Sequence, residues 1–288
     1  MLNSMTGFAR QAAEGPLGTL TWELRTVNHR YLDVQFRLPE ELRPSETDLR
    51  QQVSGRLKRG KIECSLHFRR AISEAAALKI NQDLVMQLQA KLDELSEMLH
   101  ESRAIDPIDV LRWPGVVSET EIDTGPLYEE ASRLLDDTLA ALGKMRASEG
   151  ERIAEMIESR CADIMTISTS VRARMPDVLA AVRTRQQERI EKLDIEADPA
   201  RLETELALIA QKLDVDEELD RLDSHISEIR EVMASDEAVG RRLDFLMQEL
   251  NREANTLGSK SADTETTKAA VELKVLIEQM REQIQNVE

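Results

Sequence analysis

Pairs of glutamates at helical spacing are the residues of this chain best suited to chemistry. Glu249 and Glu253 are four residues apart, and Glu278 and Glu282 repeat that spacing further along. Residues four apart on an α-helix project from the same face. If the two predicted helices pair in an antiparallel way, four carboxylates face one cleft. Carboxylate oxygens are the ligands that Mg²⁺ and Mn²⁺ prefer.

A histidine in the preceding predicted helix extends this set. Glu218 and His225 are seven residues apart, with Arg221 between them on the same face. That spacing alone is more typical of a solvated face than of a metal site, but it gains weight beside Glu249 and Glu253. A histidine ligand shifts the preference towards Mn²⁺ or softer ions. The predicted metal ligands are Glu218, His225, Glu249 and Glu253, and the predicted catalytic residues are His225, Glu249, Glu253, Glu278 and Glu282.

Cationic and amide side chains predict a second kind of contact, with phosphate. Arginine binds phosphate through two parallel hydrogen bonds, and lysine binds it as a point charge. The imidazole of His29 can serve as an acid or a base near neutral pH, and its two neighbours can orient a substrate. The predicted substrate-binding residues are Arg25, Asn28, His29, Arg30, Arg252, Lys260 and Arg281.

Alternating hydrophobicity predicts a small α/β unit over residues 1–75. Apolar residues alternate with polar ones over residues 20–24 and, in the same phase, over residues 32–38. The phase is broken at residues 27–30, where a bulge, a strand crossing or a tight turn is expected. A helix over residues 45–58 and a strand over residues 62–68 complete the order β-β-α-β, and residues 4–9 are a candidate for a further short strand.

The remainder of the chain predicts almost only helices. Residues 76–200 form a helical middle region with coiled-coil-like arms, broken or bent near Gly150 and Pro176. Residues 201–288 form a C-terminal helical domain, in which Gly258 is expected to end one helix and Asp263 to cap the next. The predicted fold class is therefore α+β, with a small N-terminal α/β unit followed by a long all-α region.

Net charge alone does not identify a partner. The chain has a net charge of −17, yet residues 1–70 hold 12 basic and 8 acidic residues and the rest carries a net −21. A basic N-terminal region on an acidic helical body is compatible with local phosphate binding. It is equally compatible with a protein that touches no nucleic acid.

Other features predict a cytoplasmic protein. The sequence has no apolar run near eighteen residues, so no membrane span is expected. It also lacks the basic and apolar regions of a signal peptide. Cys64 and Cys161 form no Cys-x-x-Cys pair, which favours free thiols in a reducing compartment.

Several longer motifs match one known family. They are NSMTGF at residues 3–8, VNHRYL at 27–32, RWPGV at 112–116, EELDRLDSH at 217–225, LDFL at 243–246, and QE, NRE, NT and SK between 248 and 260, with IEQ, REQ and QNVE between 277 and 288. The chain thus resembles the YicC/YloC-like bacterial endoribonucleases, over nearly its whole length.

The resemblance implies a function that the residues alone leave open. Members of this family are metal-dependent endoribonucleases that act on single-stranded RNA, assemble as ring-like hexamers and are linked to small-RNA turnover. The resemblance therefore implies Mn²⁺ or Mg²⁺ as the cofactor, RNA as the ligand of the substrate-binding residues, and an RNA-decay enzyme as a further partner. RNA is then expected on a charged central surface built by several subunits.

Two other readings stay open at this point. In the first, the chain is a non-catalytic RNA-decay adaptor whose glutamates form structural salt bridges with arginines, because such pairs are common on packed helices. In the second, it is an oligomeric helical scaffold whose polar faces are seams between subunits.

Overall fold

A four-stranded sheet and a bundle of long helices make up the protein. The computed structural model describes residues 2–71, 79–99, 106–118, 124–192, 198–235 and 239–287. The predicted α+β class is confirmed, since the sheet lies in the N-terminal part and long helices follow it. The predicted domain limit at residues 75 and 76 lies outside the described residues, and the limit at residue 200 stays a prediction.

The sheet has the strand order β1-β2-β4-β3. Its strands are β1 (Gly7–Gly15), β2 (Gly18–Val27), β3 (Leu32–Arg37) and β4 (Gly60–Arg70). Neighbours are antiparallel except β3 and β4, which are parallel and are joined through a 3-10 turn at Glu40–Ser45 and α1 (Glu46–Arg56). Because β4 lies between β2 and β3, residues 28–31 cross the end of β4. Of the three conformations expected here, the strand crossing is the correct one, and β1 is longer than the short strand expected at residues 4–9.

The first hydrophobic core lies under one face of this sheet. The alternation in β2 buries Leu20, Trp22 and Leu24 against α1 and the first part of α4 (Thr124–Lys192). The indole Nε1 of Trp22 donates to the carbonyl oxygen of Ala131 at 2.9 Å, so its polar atom is satisfied inside the core. The sheet is thereby fixed to the long helix.

Helix α4 is a single helix of 69 residues. The sequence predicted a break or a bend near Gly150 and Pro176; the break is wrong, because the helix continues through both, and the bend stays a prediction. Gly150 has a different role: a Cβ atom added there would lie 2.0 Å from the carbonyl oxygen of Leu2. The glycine allows another part of the chain to pass close to the helix backbone.

The segment that passes there is residues 2–6, named here the N-terminal strap. The backbone nitrogen of Ser4 donates to the carbonyl oxygen of Arg146 at 3.0 Å, and Arg146 Nε donates to the carbonyl oxygen of Ser4 at 2.5 Å. On its other side the strap meets the C-terminal end of the chain, where the nitrogen of Met5 donates to the carbonyl oxygen of Asn286 at 2.7 Å and Ser4 forms a bridge with Val287. The strap thus ties α4 to the last helix.

The second core is helical. It joins the middle of α4 with α6 (Asp216–Ala234), α7 (Gly240–Lys260) and α8 (Thr264–Ile284). The expectation that Gly258 ends α7 is wrong: α7 runs on to Lys260, and an added Cβ at Gly258 would lie 3.3 Å from that of Ala270 in α8. Close helix packing, not a left-handed turn, accounts for this glycine.

The other elements lie outside these two cores. Helix α5 (Pro199–Leu213) is joined to the end of α4 by an ion pair between Arg183 and Glu203. Helices α2 (Gln82–Leu99) and α3 (Pro107–Leu111) accompany a two-stranded sheet of β5 (Lys79–Ile80) and β6 (Val117–Ser118). Within the described residues, no helix combines the length and apolarity that a membrane crossing needs.

Both cysteines are buried and lie in different cores. Burial raises the pKa of the Cys64 thiol to about 12. Burial and the nearby carboxylate of Glu158 raise the pKa of the Cys161 thiol to about 11. Both residues are free cysteines, as the sequence predicted, and the raised pKa values keep their thiols neutral at neutral pH.

Asp263 caps α8 as predicted, and its replacement has an expected cost. Its Oδ1 accepts from the backbone nitrogen of Thr266 at 3.1 Å, and its Oδ2 lies 2.7 Å from Nη2 of Arg174 in α4. Asp263→Ala is expected to lower the free energy of unfolding by about 1–2 kcal/mol, as the loss of an N-cap does. Urea denaturation at neutral pH measures the difference, and Asp263→Asn, which keeps a capping oxygen but loses the charge, is the matched control.

The same contribution should depend on pH. Burial alone would raise the pKa of the Asp263 carboxyl, but the hydrogen bonds from Thr266 and Arg174 outweigh burial and lower it below its usual range. A lowered pKa stabilises the fold above the unfolded value of about 3.9, and this stabilisation is lost as the pH falls through the folded value. The difference in the free energy of unfolding between wild type and Asp263→Ala should therefore be smaller at acid pH than at neutral pH. An equal difference at acid and neutral pH would contradict a lowered pKa of Asp263.

Candidate metal centre

Helices α6 and α7 run antiparallel and are joined by ion pairs along their shared edge, named here the α6–α7 seam. Lys260 pairs with Glu218 at one end of the seam, and Arg242 pairs with Glu228 at the other. Between them, Arg221 pairs with Glu253. The apolar faces of both helices point into the second core, so the seam is a line of polar side chains at its surface.

Three side chains of the seam converge. His225 of α6 and Glu249 and Glu253 of α7 each offer one ligand atom, and these atoms all lie within 4.8 Å of one another. We call this group the His–Glu–Glu trio. Glu253 is only 3% exposed, while His225 and Glu249 are half-buried. Among the residues that the structure describes, this is the one cluster of three or more His, Cys, Asp or Glu side chains with such spacing.

The fourth predicted ligand lies elsewhere on the seam. The Nζ atom of Lys260 donates to both carboxylate oxygens of Glu218, at 2.8 and 3.0 Å, and to the carbonyl oxygen of Asp214 at 2.8 Å. Glu218 is buried, so this lysine balances its charge in a largely dry environment. The sequence predicted Glu218 as a metal ligand and Lys260 as a substrate-binding residue. The structure instead pairs these two residues with each other, and Glu218 is not part of the trio.

The two glutamates of α8 also lie away from the trio. Glu278 and Glu282 are exposed, whereas the apolar face of α8 packs on that of α7. Arg281 lies between them, with its Nη1 3.6 Å from Glu278 and its Nε 3.9 Å from Asp244 of α7. The structure does not bring the four glutamates together, because α7 turns Glu249 and Glu253 towards α6.

The predicted substrate-binding residues Asn28, His29 and Arg30 lie near the N-terminal end of α7, away from the trio. The Nδ2 atom of Asn28 donates to the carbonyl oxygen of Gln285 at 2.5 Å, and Arg59 Nε donates to the carbonyl oxygen of His29 at 3.0 Å. Arg30 lies over the exposed ring of Tyr31, 5.3 Å from its centre. Gly240, which begins α7, faces Val287, and the rise from there to Glu249 is about 14 Å. Arg25 is exposed on β2, on the open face of the sheet.

The donors of the trio suit a divalent cation. One imidazole nitrogen and two carboxylate oxygens match the ligands of Mn²⁺ and Mg²⁺. Two donors that each bind one such ion at about 2.1 Å lie at most about 4.2 Å apart, so side chains spaced by up to 4.8 Å must rotate towards one another to share an ion. A buried carboxylate such as Glu253 also calls for a positive charge beside it. The residues present therefore fit the metal that the sequence predicted.

Arg221 is the residue of this site that sequence reasoning did not select. Its Nη1 lies 3.4 Å from Oε1 of Glu253, and its Nη2 lies 2.5 Å from Oε1 of Glu217. The hydrogen bond with Glu253 and the charge of Glu217 raise the pKa of this guanidinium. The sequence feature that indicates it is its position four residues before His225, which places both side chains on one face of α6.

Fold and seam together define an α+β protein with a polar, carboxylate-rich candidate site between two helices. Sequence profiles described as "Endoribonuclease YicC-like, N-terminal region" and "Endoribonuclease YicC-like, C-terminal" match residues 2–155 and 171–288. The chain therefore belongs to the YicC-like endoribonuclease family, as its motifs predicted.

Two relatives show that the similarity is full-length. A protein of Haemophilus influenzae named "Probable endoribonuclease YicC" is 45% identical over 288 residues, with 100% of both chains covered. A protein of the same name from Clostridioides difficile is 34% identical over 296 residues, again with 100% of both chains covered. Both matches include the α6–α7 seam.

Proposed function

We propose that this protein is a metal-dependent endoribonuclease that cleaves single-stranded RNA. The observation that carries the proposal is the His–Glu–Glu trio, whose ligand atoms lie within 4.8 Å of one another in a seam with nearby guanidinium groups. Membership of a family described as endoribonuclease supports the reaction class.

The proposal assigns parts to residues of the seam and to residues outside it. His225, Glu249 and Glu253 hold Mn²⁺ or Mg²⁺, which when bound activates the attacking group and neutralises the nonbridging phosphate oxygens. Arg252 is exposed one position before Glu253 and offers its guanidinium to the phosphate backbone. Asn28, His29 and Arg30 lie where a longer RNA strand would continue along α7. Glu278 and Glu282 stay predicted catalytic residues without a contact to the trio.

The proposed context is RNA or small-RNA turnover in the cytoplasm by a homo-oligomer. A hexamer, with an RNA-decay enzyme as a further partner, follows from the family resemblance. Exposed apolar side chains support self-association, since Met98 is 77% and Trp113 is 55% exposed. Such side chains, on helix α2 and in the turn that follows α3, mark surfaces that commonly meet another protein.

A non-catalytic adaptor or scaffold is the second candidate. The ion pairs Arg221–Glu253 and Lys260–Glu218 favour it, because they give two of the predicted metal-binding carboxylates a structural partner. In that case the seam stabilises the helix pair or a contact between subunits, and the chain recruits RNA or a nuclease without cutting RNA itself.

One experiment separates these candidates. Purified protein is incubated with end-labelled single-stranded RNA in Mn²⁺, in Mg²⁺ and in EDTA, beside the double variant Glu249→Gln/Glu253→Gln. Cleavage that requires the metal, and that is lost in a variant eluting as the same oligomer, is expected. No cleavage at all would favour the adaptor, whereas cleavage that survives both EDTA and the double substitution would contradict the metal-carboxylate mechanism. A variant that dissociates would identify the seam as a subunit contact.

A further inference from the structure

We propose that Arg221 exchanges partners during the reaction: it neutralises Glu253 in the metal-free protein and binds a phosphate of the RNA once the metal is present. This inference rests on the proposed function, and it assigns a positioning and substrate-binding role to a residue outside the predicted site. The reasons are the burial of Glu253, the exposure of Arg221 and the place of both beside His225 and Glu249.

Glu253 requires a positive charge in the metal-free protein. Its side chain is 3% exposed, and an ionised carboxylate without a counterion is unfavourable in such a place. Arg221 Nη1, at 3.4 Å, is a cation that the structure places beside it. This distance is long for a charge-assisted hydrogen bond, which is usually about 2.7–2.9 Å. The pair therefore supplies charge balance without a tight geometry that would be hard to break.

Arg221 is free to leave Glu253. Its side chain is 51% exposed, and its second contact, with Glu217, lies one turn earlier on the same helix and is more exposed still. Lys260 is the contrasting case on the same seam. It makes three contacts with Glu218 and Asp214 and is 29% exposed, so it is held in place.

Metal binding would replace the attraction between Arg221 and Glu253 with a repulsion between Arg221 and the metal ion. A divalent cation at the trio neutralises Glu253, which weakens the attraction between Glu253 and Arg221. The cation and the guanidinium also repel each other, since both are positive. Arg221 lies one helical turn from His225, so its released guanidinium stays beside the ion. An RNA phosphate that contacts the ion then lies within reach of a group that binds phosphate bidentately.

The exchange predicts that one substitution changes two affinities in opposite directions. In Arg221→Gln the cation that competes for Glu253 is gone, so Mn²⁺ should bind about twofold to fivefold more tightly, the range expected for an exposed ion pair. With Mn²⁺ present, RNA affinity should fall about tenfold, as on loss of a charged hydrogen bond. The slope of log affinity against log salt concentration should decrease in magnitude by about 0.7, the value for one phosphate contact of a single strand.

The test uses the full-length protein and two readouts besides activity. Calorimetry measures Mn²⁺ binding without RNA, and fluorescence anisotropy measures binding of a labelled 2′-O-methyl RNA, with Mn²⁺ and with EDTA, over a salt series. A denaturing gel verifies that this probe stays intact. Arg172→Gln is the matched control, because Arg172 is also a partly exposed arginine that pairs with α6, through Asp220 at 2.8 Å, but lies outside the trio. Arg221→Lys keeps the charge and is the second variant if Arg221→Gln alters the oligomer.

Each outcome decides the matter. Tighter Mn²⁺ binding together with weaker RNA binding only in Mn²⁺ supports the exchange, and Arg172→Gln should change neither. Weaker Mn²⁺ binding would show that Arg221 merely positions Glu253. Equal losses of RNA affinity with Mn²⁺ and with EDTA would show a static phosphate contact, and unchanged RNA affinity would show none. A wild type that binds no Mn²⁺ would overturn the proposed metal function as well, whereas a wild type that binds Mn²⁺ and cleaves RNA confines the failure to Arg221.

Discussion

Glu253→Gln is expected to reduce metal-dependent RNA cleavage by at least about 100-fold while the fold is retained. Glutamine has the size of glutamate but no negative charge, so the trio would lose one of its two anionic ligands. Changes in residues that only orient a metal ligand already cost about 10-fold to 100-fold in affinity or activity, and the loss of a direct ligand should cost more. Arg221, the present partner of Glu253, is half-exposed and can return to water.

Glu218→Gln is the matched control, because it makes the same chemical change in another buried glutamate of the same seam. Here we expect the opposite phenotype: cleavage within a few-fold of wild type, but a free energy of unfolding lower by about 2 kcal/mol. The charge of Lys260 would lose its carboxylate partner in a place where it is less than one-third exposed, and removing one member of a buried ion pair is costly.

Cleavage rates in Mn²⁺ and denaturation curves of both variants provide the comparison. If Glu218→Gln also abolishes cleavage at unchanged stability, Glu218 acts in the metal site, as the sequence spacing predicted. If Glu253→Gln cleaves like wild type, the His–Glu–Glu trio does not hold the catalytic ion.

Gly150→Ala is expected to lower the free energy of unfolding by about 2–3 kcal/mol, although alanine is the better helix former. The new Cβ would lie 2.0 Å from the carbonyl oxygen of Leu2, closer than nonbonded atoms can approach. Either the N-terminal strap or α4 must move, and forcing extra atoms into a packed region typically has this cost. Movement of the strap would also strain the paired contacts between Ser4 and Arg146.

Gly143→Ala, two turns earlier in the same helix, should have the opposite sign. No atom outside the local helix lies within 4 Å of a Cβ built at Gly143, and the position is exposed. Alanine there should stabilise the protein by about 0.5–1 kcal/mol, the usual gain over glycine within a helix. Urea denaturation of both variants measures the difference, and a stabilising effect of Gly150→Ala would show that the strap does not pass that close.

Local sequence patterns predicted the elements of this fold better than their ends. The alternation in β2, the cap at Asp263 and the apolar face of α7 follow from side-chain chemistry within a few residues. Gly150 and Gly258 were misread as helix breakers, since glycine is equally suited to close packing. The partners that require them, Leu2 and Ala270, are distant in sequence, and no local pattern reveals such a contact.

The same limit applies to the candidate site. Spacing predicted that Glu249 and Glu253 share a face, and that His225 and Glu218 share another. It did not predict which of these meet, because that depends on the relative rotation and offset of α6 and α7. In the structure His225 lies beside the two glutamates, and Glu218 forms an ion pair with Lys260. Arg221 lies at the trio.

The strap also has a consequence for the order in which the protein is made. Met5 bonds to Asn286, so one partner leaves the ribosome about 280 residues before the other, which at usual translation rates is tens of seconds. In the folded protein Leu2 packs in the helical core, but during that interval this core is incomplete and cannot bury it. Docking of the strap is therefore a late event that closes the helical core only after α8 has been synthesised.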